Sequence, residues 1–418
     1  MHLLRKKYIK SFFVYSIGEY AKYVIPIILL PIFTRLLSRE DYGIISTFSA
    51  IISFLGIFVS FSATGAVNRA YYDSKKTELD FNLYLGNALI TNTVLGSMMF
   101  IPFLYIGSLN VLNLPKNLFI IIPLILLMKS FMAYKQKLWI LQEEPLRNSM
   151  FEVSFRTVSL VLSLFMVMTI FPDWRSRIIG IIISHLLFCV ISVYMLKKED
   201  KYTLTYNSIF VKDILKYGTP LIFHGIGLML IGTVDKLIIN NQLGLEEVGV
   251  YGVAIAISSS ITVFIMPFDK TIMPKIFTIL NQYDHGNSIK AAKLFILNVV
   301  YLVCAGVLVY LATIILGPII IGERFVSAIQ YMPALLIGRI FYGLYRFSVR
   351  PLFFSKKTYL VSISTLSSGI IGVFIMFMLA KNYGTSGVAW GFAISNILSF
   401  LFVFIFSQRL YPFMLFRK

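Results

Sequence analysis

The sequence contains very little cysteine. Two cysteines occur in 418 residues, and Cys189 and Cys304 each lie in an apolar run with no second cysteine nearby. A disulfide framework needs pairs of cysteines, and a metal site needs clustered ligands. The sequence therefore predicts no disulfide, no metal site and no cofactor.

Charged residues are scarce as well, and acidic residues are the scarcer kind. Asp, Glu, Lys and Arg together make up 14% of the chain, with 19 acidic against 38 basic residues and a net charge of +19. No polar stretch is long enough for a soluble domain, and no Gly-x-x-x-x-Gly-Lys-Ser/Thr run is present. These absences exclude a nucleotide-binding domain and argue against nucleic-acid binding, which needs a folded basic surface.

Apolar residues dominate what remains. They account for 58% of the chain and give a mean hydropathy of +0.81, whereas soluble domains contain about 45–50% apolar residues. Runs of about 20 apolar residues recur, and each is long enough to cross a hydrocarbon core of roughly 30 Å. We predict an all-α integral membrane protein of about twelve transmembrane helices. Their predicted ranges are 12–33, 43–65, 83–107, 117–134, 150–171, 178–195, 214–239, 249–269, 292–316, 329–349, 359–380 and 387–408.

The connections between these helices differ in basic charge. One alternate set, which includes both termini, holds 24 Lys and Arg residues, and the other set holds 7. Short cytoplasmic connections retain positive charge, so the bias predicts a multi-pass protein of the bacterial inner membrane with both termini in the cytoplasm. Attraction to anionic membrane lipids accounts for the rest of the positive charge.

The second half of the sequence echoes the first. The segment Glu40–Ile44 before the second predicted helix resembles Glu246–Val250 before the eighth. Internal repeats of this kind are typical of transporters, whose substrate site lies between the repeats. We predict two pseudo-symmetric lobes of six helices each, formed by residues 1–205 and 206–418, around a central cavity.

Five segments carry a family resemblance. They are Pro26–Gly43, Asp173–Gly180, Val234–Ile239, Val248–Ala254 and Tyr383–Ala389. With them the chain resembles the Wzx-type O-antigen and capsule flippases of the multidrug/oligosaccharidyl-lipid/polysaccharide (MOP) exporter superfamily, over essentially its whole length.

The resemblance implies a MATE-like fold and a function. Such flippases carry an undecaprenyl-pyrophosphate-linked oligosaccharide, the repeat unit of O-antigen, lipopolysaccharide or capsule, to the outer leaflet by alternating access. A polysaccharide polymerase would be a further partner. The lipid II flippases of the same superfamily usually have two more helices than we predict here.

Ionisable residues inside the predicted helices are the candidates for function, because each costs at least about 2.5 kcal/mol near the bilayer centre unless it faces water or a partner. Seven are basic: Lys22, Lys129, Arg156, Lys216, Lys236, Arg339 and Arg346. Four are acidic: Glu19, Glu152, Asp235 and Asp269. The surplus of cations favours an anionic pyrophosphate as substrate over a cationic drug.

Six of the basic residues are predicted to line a cationic cavity that binds the pyrophosphate: Lys22, Lys129, Arg156, Lys216, Arg339 and Arg346. Lys22 and Arg339 lie near the middle of their helices and cannot easily reach the membrane surface. Arg156, Lys216 and Arg346 lie nearer the cytoplasmic ends, where snorkelling to the interface is the alternative.

The coupling ion, H⁺ or Na⁺, has two candidate residues. Glu19 precedes Lys22 by one turn on a proline-weakened helix, and an ion that neutralises Glu19 would free Lys22 for the pyrophosphate. The alternative is a structural ion pair between the two. Asp235 is the second candidate, and together with Lys236 it could instead form a gate between the lobes.

Three other functions stay open. A multidrug exporter or antiporter and a lipid II flippase would share the fold. A membrane polymerase or glycosyltransferase would need catalytic residues on a sizeable outer loop, and no such loop is predicted. We therefore predict a transporter and not an enzyme.

Overall fold

The computed structural model describes residues 20, 24–60, 63–108, 113–200 and 202–412. Helices make up nearly all of this part of the chain. We number them in chain order. They are α1 (Val24–Leu36), α2 (Arg39–Ser60), α3 (Ala63–Asp73), α4 (Phe81–Met98), α5 (Phe100–Ser108), α6 (Asn117–Leu141), α7 (Pro145–Thr169), α8 (Trp174–Met195), α9 (Ser208–Gly232), α10 (Val234–Leu243), α11 (Leu245–Ser258), α12 (Thr262–Asn281), α13 (His285–Ile320), α14 (Met332–Ser348), α15 (Arg350–Phe354) and α16 (Thr358–Leu410).

Each predicted helix overlaps an observed helix within the residues that the structure describes. Within the described ranges, nine helices or runs of consecutive helices are long and apolar enough to cross a membrane, and α1 is a shorter apolar helix. The all-α membrane fold is thus confirmed, while the number twelve stays a prediction. The long helix α16 holds two predicted spans, and it is interrupted at Gly384, whose φ of 58° favours glycine.

Several breaks within the predicted helices were not predicted. The predicted helix 214–239 is divided between α9 and α10 at Thr233, whose φ and ψ are −143° and −29°. The predicted helix 83–107 is divided between α4 and α5 at Met99, and a short 3₁₀ turn joins α11 to α12 within the predicted helix 249–269. Apolar periodicity gives no sign of these breaks because the sequence on either side remains apolar.

The chain forms two compact units. The first contains Ile44–Gly225 and the described residues up to Pro26, and the second contains Ile27–Gly43 and Ile226–Lys418. The predicted lobe boundary between residues 205 and 206 stays a prediction.

The two echoing segments of the sequence pack against each other in the second unit. A Cβ atom at Gly43 would clash with the Leu245 carbonyl group, and a Cβ atom at Gly249 would clash with the Arg39 carbonyl oxygen. Arg39 and Leu245 occupy equivalent positions in the echo, as do Gly43 and Gly249. The starts of α2 and α11 therefore cross symmetrically, and glycine is required on both sides because the backbones touch.

In the first unit, α3, α4, α6 and α9 share a core that includes Ala66, Tyr84, Leu138 and Ile214. Farther along α6, α7 and α8, the three helices pack together around a polar cavity.

Candidate functional site

A basic cavity of about 270 Å³ lies within the first unit. Each wall is one face of a helix, since lining residues recur at spacings of three or four. The face on α8 consists of Arg177, Ile181 and His185. The other walls come from α2, α6 and α7 and contribute Ser49, Ile52, Ser53, Ile125, Lys129, Phe155, Arg156, Ser159 and Leu160, with Pro26 from α1.

Lys129 lies at the midpoint of α6, a helix of 25 residues. At about 1.5 Å per residue, its Cα is roughly 18 Å from either helix end, too far for its side chain to reach water beyond the membrane. Lys129 is nevertheless accessible to solvent, because its side chain lies in the cavity wall. It makes no hydrogen bond or ion pair with any residue of the described chain, although Arg156 and Glu152 lie within electrostatic range.

Arg156 and Glu152 form an ion pair on α7. Arg156 Nε lies 2.8 Å from Glu152 Oε1, and the Glu152 side chain is only 12% exposed. Gln136 Nε2 donates a hydrogen bond of 2.6 Å to the other carboxylate oxygen of Glu152. The charge of Arg156 is thus partly balanced, whereas Lys129 has no carboxylate in contact among the residues that the structure describes.

Arg177 is a cavity residue that lies just before the predicted helix 178–195. Asp173 caps α8 by accepting from the Arg175 N–H, so the helix begins at Trp174 and includes Arg177. The guanidinium of Arg177 donates to the Ser159 hydroxyl at 3.1 Å and to the Ser163 hydroxyl at 2.9 Å, both on α7. The i, i+4, i+8 spacing of Arg177, Ile181 and His185 was the available signal.

His185 is the fourth ionisable residue in the described lining of this cavity. Its ring lies 4.9 Å from the Phe155 ring centroid and nearly perpendicular to it, and Nδ1 lies 2.8 Å from the Ile181 carbonyl oxygen. Lys129, Arg156 and Arg177 all lie within electrostatic range of His185. Three cations thus line the described cavity wall, and Glu152, which pairs with Arg156, is not among the lining residues.

A second cavity of about 300 Å³ adjoins the first and shares Ser53 and Lys129 with it. Its other lining residues include Gly56, Leu126 and Ser130. Lys129 therefore faces both cavities.

The second unit contains a buried charged group around Asp235. This carboxylate is fully buried and accepts a hydrogen bond of 2.8 Å from the Tyr251 hydroxyl. Lys236 lies within electrostatic range of both Asp235 and Arg339, and the Arg339 guanidinium lies 5.4 Å from the centroid of the Phe392 ring. The structure thus brings together Asp235, Lys236 and Arg339, three residues singled out from the sequence.

Arg346 belongs to a different cluster. It donates from Nε to Asp269 Oδ2 at 3.0 Å, and Arg350 forms a close ion pair with the same carboxylate. The Arg350 side chain is buried, and so are the next two residues of α15, Pro351 and Leu352. One aspartate therefore pairs with two arginines. Arg346 and Arg339 both lie on α14, but they belong to different charged clusters.

The remaining predicted residues divide into two kinds. Lys216 is exposed on α9 and makes no hydrogen bond or ion pair with other residues in the described ranges. Glu19 and Lys22 lie outside the described residues, so their predicted pairing and coupling stay predictions. Among the residues that the structure describes, no group of three or more His, Cys, Asp and Glu is arranged to hold a metal ion.

Comparison with known proteins identifies the family and the fold. Residues 8–280 match the family described as "Polysaccharide biosynthesis protein". The chain is 24% identical to a protein of the Lsg locus of Haemophilus influenzae over 411 residues, which are 94% of this chain and 98% of that protein. A second membrane protein of Haemophilus influenzae is 25% identical and covers 87% of this chain and 88% of its own length.

Solved structures agree with this assignment. A multidrug resistance MATE family transporter of the MOP superfamily matches with a TM-score of 0.74 at 14% identity, covering 97% of this chain and 96% of its own. The lipid II flippase MurJ matches with a TM-score of 0.75 at 15% identity, covering 96% of this chain and 87% of its own. Together with the family match, these likenesses confirm the resemblance seen in the sequence. The chain belongs to the polysaccharide biosynthesis protein family and has the fold of the MOP-superfamily proteins.

Proposed function

We propose that this chain is a flippase that moves an undecaprenyl-pyrophosphate-linked oligosaccharide from the cytoplasmic to the outer leaflet of the bacterial inner membrane. The oligosaccharide is the repeat unit of an O-antigen or a capsule. Transport proceeds by alternating access, and both termini lie in the cytoplasm. A polysaccharide polymerase on the outer side consumes the product.

The observation that carries this proposal is the composition of the cavity in the first unit. Three cations, Lys129, Arg156 and Arg177, line it, and the carboxylate of Glu152 pairs with Arg156. A pyrophosphate leaving water needs positive charge and N–H donors in its place, and Lys and Arg supply both. A cavity for cationic drugs would need the opposite balance, because a cation beside three fixed positive charges is repelled.

The size of the cavity limits which part of the substrate enters it. The two adjoining volumes of about 270 and 300 Å³ are at the lower end of small-ligand pockets, which span roughly 300–1,000 Å³. They suit a diphosphate and the first sugar. The polyprenyl chain is apolar, so it stays in the hydrocarbon of the bilayer during transport.

Lys129 has the central role in this proposal. It lies at the middle of the membrane-spanning helix α6 and has no counter-ion in contact among the described residues. A charge held in this way is costly without a partner, and a phosphate in the cavity would provide that partner. Arg156 and Arg177 already have protein partners, so they orient and neutralise the pyrophosphate as auxiliary groups.

Ion coupling by H⁺ or Na⁺ is the second part of the proposal. Asp235 and Glu19 are the candidate residues, and Lys236 with Asp235 is the candidate gate. Within its buried group, Asp235 balances Lys236 and Arg339. An ion that neutralises Asp235 would leave two cations facing each other, and this repulsion would favour a second arrangement of the helices.

The proposal is tested in a strain that lacks the gene and is complemented with variants. The deletion should accumulate undecaprenyl-pyrophosphate-linked repeat units and lose surface polysaccharide, and the unmodified gene should restore both. Lys129→Gln should restore neither, although the protein reaches the membrane in normal amount. Lys76→Gln, which removes an exposed lysine elsewhere, is the matched control and should complement fully. A deletion that leaves the lipid-linked intermediates unchanged would contradict the proposal.

A further inference from the structure

A second basic site lies outside the residues assigned to transport. It is an open groove of about 550 Å³ in the second unit, between the end of α12 and the start of α13. Lys275, Lys290 and Lys293 contribute the charge, and Thr278, Gln282 and Asn287 contribute polar groups. Ile279 and Leu294 complete the lining with apolar surface.

The charge of this groove is not balanced by the described residues around it. No acidic residue is among the described residues that line it. Lys290 Nζ donates to the neutral amide oxygen of Asn287 at 3.0 Å, and Lys275 and Lys293 make no hydrogen bond or ion pair with other residues in the described ranges. The Asp284 carboxylate at the tip of the hairpin accepts from the Asn287 N–H at 2.6 Å, where it serves as the N-cap of α13.

The sequence of α13 fixes the depth of the groove in the membrane. Lys293 directly precedes a run from residue 294 to residue 320 that contains no Asp, Glu, Lys or Arg. At about 1.5 Å per residue, this run is longer than the hydrocarbon core of roughly 30 Å. Lys293 and Lys290 therefore lie where the hydrocarbon ends and the lipid headgroups begin. The charge bias of the connections predicts that this is the cytoplasmic leaflet.

We propose that this groove binds the phosphate of an anionic phospholipid from the surrounding leaflet. Three ammonium groups and the neighbouring amides surround the phosphate, and the apolar lining accepts the first carbons of the acyl chains. Phosphate is the anion available at this depth, and lysines beside an anionic leaflet attract it. The groove serves a resident lipid, and its occupancy does not depend on which substrate the protein transports.

The size of the effect follows from the number of lysines. Each lysine near an anionic membrane surface strengthens binding about fivefold, so three together give roughly 100-fold. Replacement of all three by glutamine should remove most of this preference. Replacement by arginine should keep it, because the charge and the donors are retained.

The experiment uses the purified full-length protein with phosphatidylcholine vesicles that contain or lack fluorescent phosphatidylglycerol. Lipid retained by the protein is measured for the unmodified chain, for Lys275→Gln/Lys290→Gln/Lys293→Gln and for the corresponding triple arginine variant. Lys76→Gln/Lys197→Gln/Lys212→Gln, which removes three exposed lysines elsewhere, is the charge-matched control. Size-exclusion chromatography establishes that each variant is folded.

We expect the triple glutamine variant alone to bind phosphatidylglycerol about 100-fold more weakly than the unmodified protein. Three results would overturn the proposal. The triple glutamine variant could bind as tightly as the unmodified protein, or the control variant could lose as much lipid, which would mean diffuse attraction. Inorganic phosphate could bind as tightly as the lipid, which would identify the groove as a site for a free anion.

Discussion

Replacement of Lys129 by glutamine separates substrate binding from protein stability. The ammonium group has no hydrogen bond or ion pair to lose within the described chain, and the cavity can accommodate the slightly shorter amide. We therefore expect the unfolding temperature of the purified protein to change by no more than about 2 °C. The affinity for an anionic headgroup should fall, because Lys129 is a cation of the cavity wall that makes no ion pair with any described residue.

The magnitude follows from the interaction that is removed. A hydrogen bond to a charged group contributes about 1.5–3 kcal/mol, which corresponds to roughly a 10-fold to 150-fold rise in Kd. Titration of the purified protein with a short-chain polyprenyl-diphosphate sugar measures this change. Arg156→Gln would be less informative, because it also leaves the Glu152 carboxylate, only 12% exposed, without its cation.

The control for this measurement is Lys76→Gln, which removes the same charge from an exposed position. Its Kd should equal that of the unmodified protein. If Lys129→Gln binds the diphosphate as tightly as the unmodified protein while both remain folded, Lys129 does not contact the headgroup and the reasoning about the cavity is wrong.

Three further predictions concern stability and orientation. Gly249→Ala places a methyl group against the Arg39 backbone and should destabilise the protein by about 1–3 kcal/mol in thermal unfolding. Gly232→Ala is the control and should not destabilise it, because there is open space around Gly232. Equal unfolding temperatures for the two variants would refute the close crossing. Asp235→Asn removes the negative charge beside Lys236 and Arg339 and should lower the free energy of unfolding by about 3–5 kcal/mol. Asp235→Asn/Lys236→Gln should restore part of this stability. A double variant no more stable than the single one would argue against this coupling. In a chain with both native cysteines replaced, Lys76→Cys should react with membrane-impermeant maleimide only from the cytoplasmic side and Lys381→Cys only from the outer side, and the opposite labelling would invert the orientation.

The helices could be predicted from sequence because a bilayer imposes one strong requirement, an apolar run of about 20 residues. The division of α16 into two predicted spans follows from the same rule, since Lys381 and Gly384 interrupt an otherwise apolar segment. The symmetric crossing at Gly43 and Gly249 was foreshadowed by the echo in the sequence. The contact itself could not be foreseen, because a repeat does not state which copies touch.

The partners of the charged residues were beyond sequence reasoning. Arg339, Arg346 and Arg350 are spaced to share one helical face, yet Arg346 and Arg350 pair with Asp269 on α12. Arg339 lies beside Asp235 and Lys236 of α10 instead. Spacing gives the face of a helix, whereas the neighbouring helix decides which acid meets each base.

Residues near predicted helix ends were misassigned for a related reason. Lys135 was counted with a cytoplasmic connection, but α6 extends to Leu141 and buries Lys135 completely. Its ammonium group is 2.7 Å from the Glu199 carboxylate. A predicted helix that ends too early therefore places the buried Lys135 in a connection, and one that begins too late, at residue 178, does the same for Arg177.

The most direct test of the central claim is flipping by the purified protein in proteoliposomes. A fluorescent short-chain polyprenyl-diphosphate sugar is placed in both leaflets, and the fraction quenched by a membrane-impermeant reductant is followed over time. We predict that the protein exposes nearly all of the lipid to the reductant, that Lys129→Gln slows this exchange about 10-fold to 150-fold, and that a cationic dye is not transported. Transport of the cationic dye without flipping of the diphosphate lipid would contradict the account.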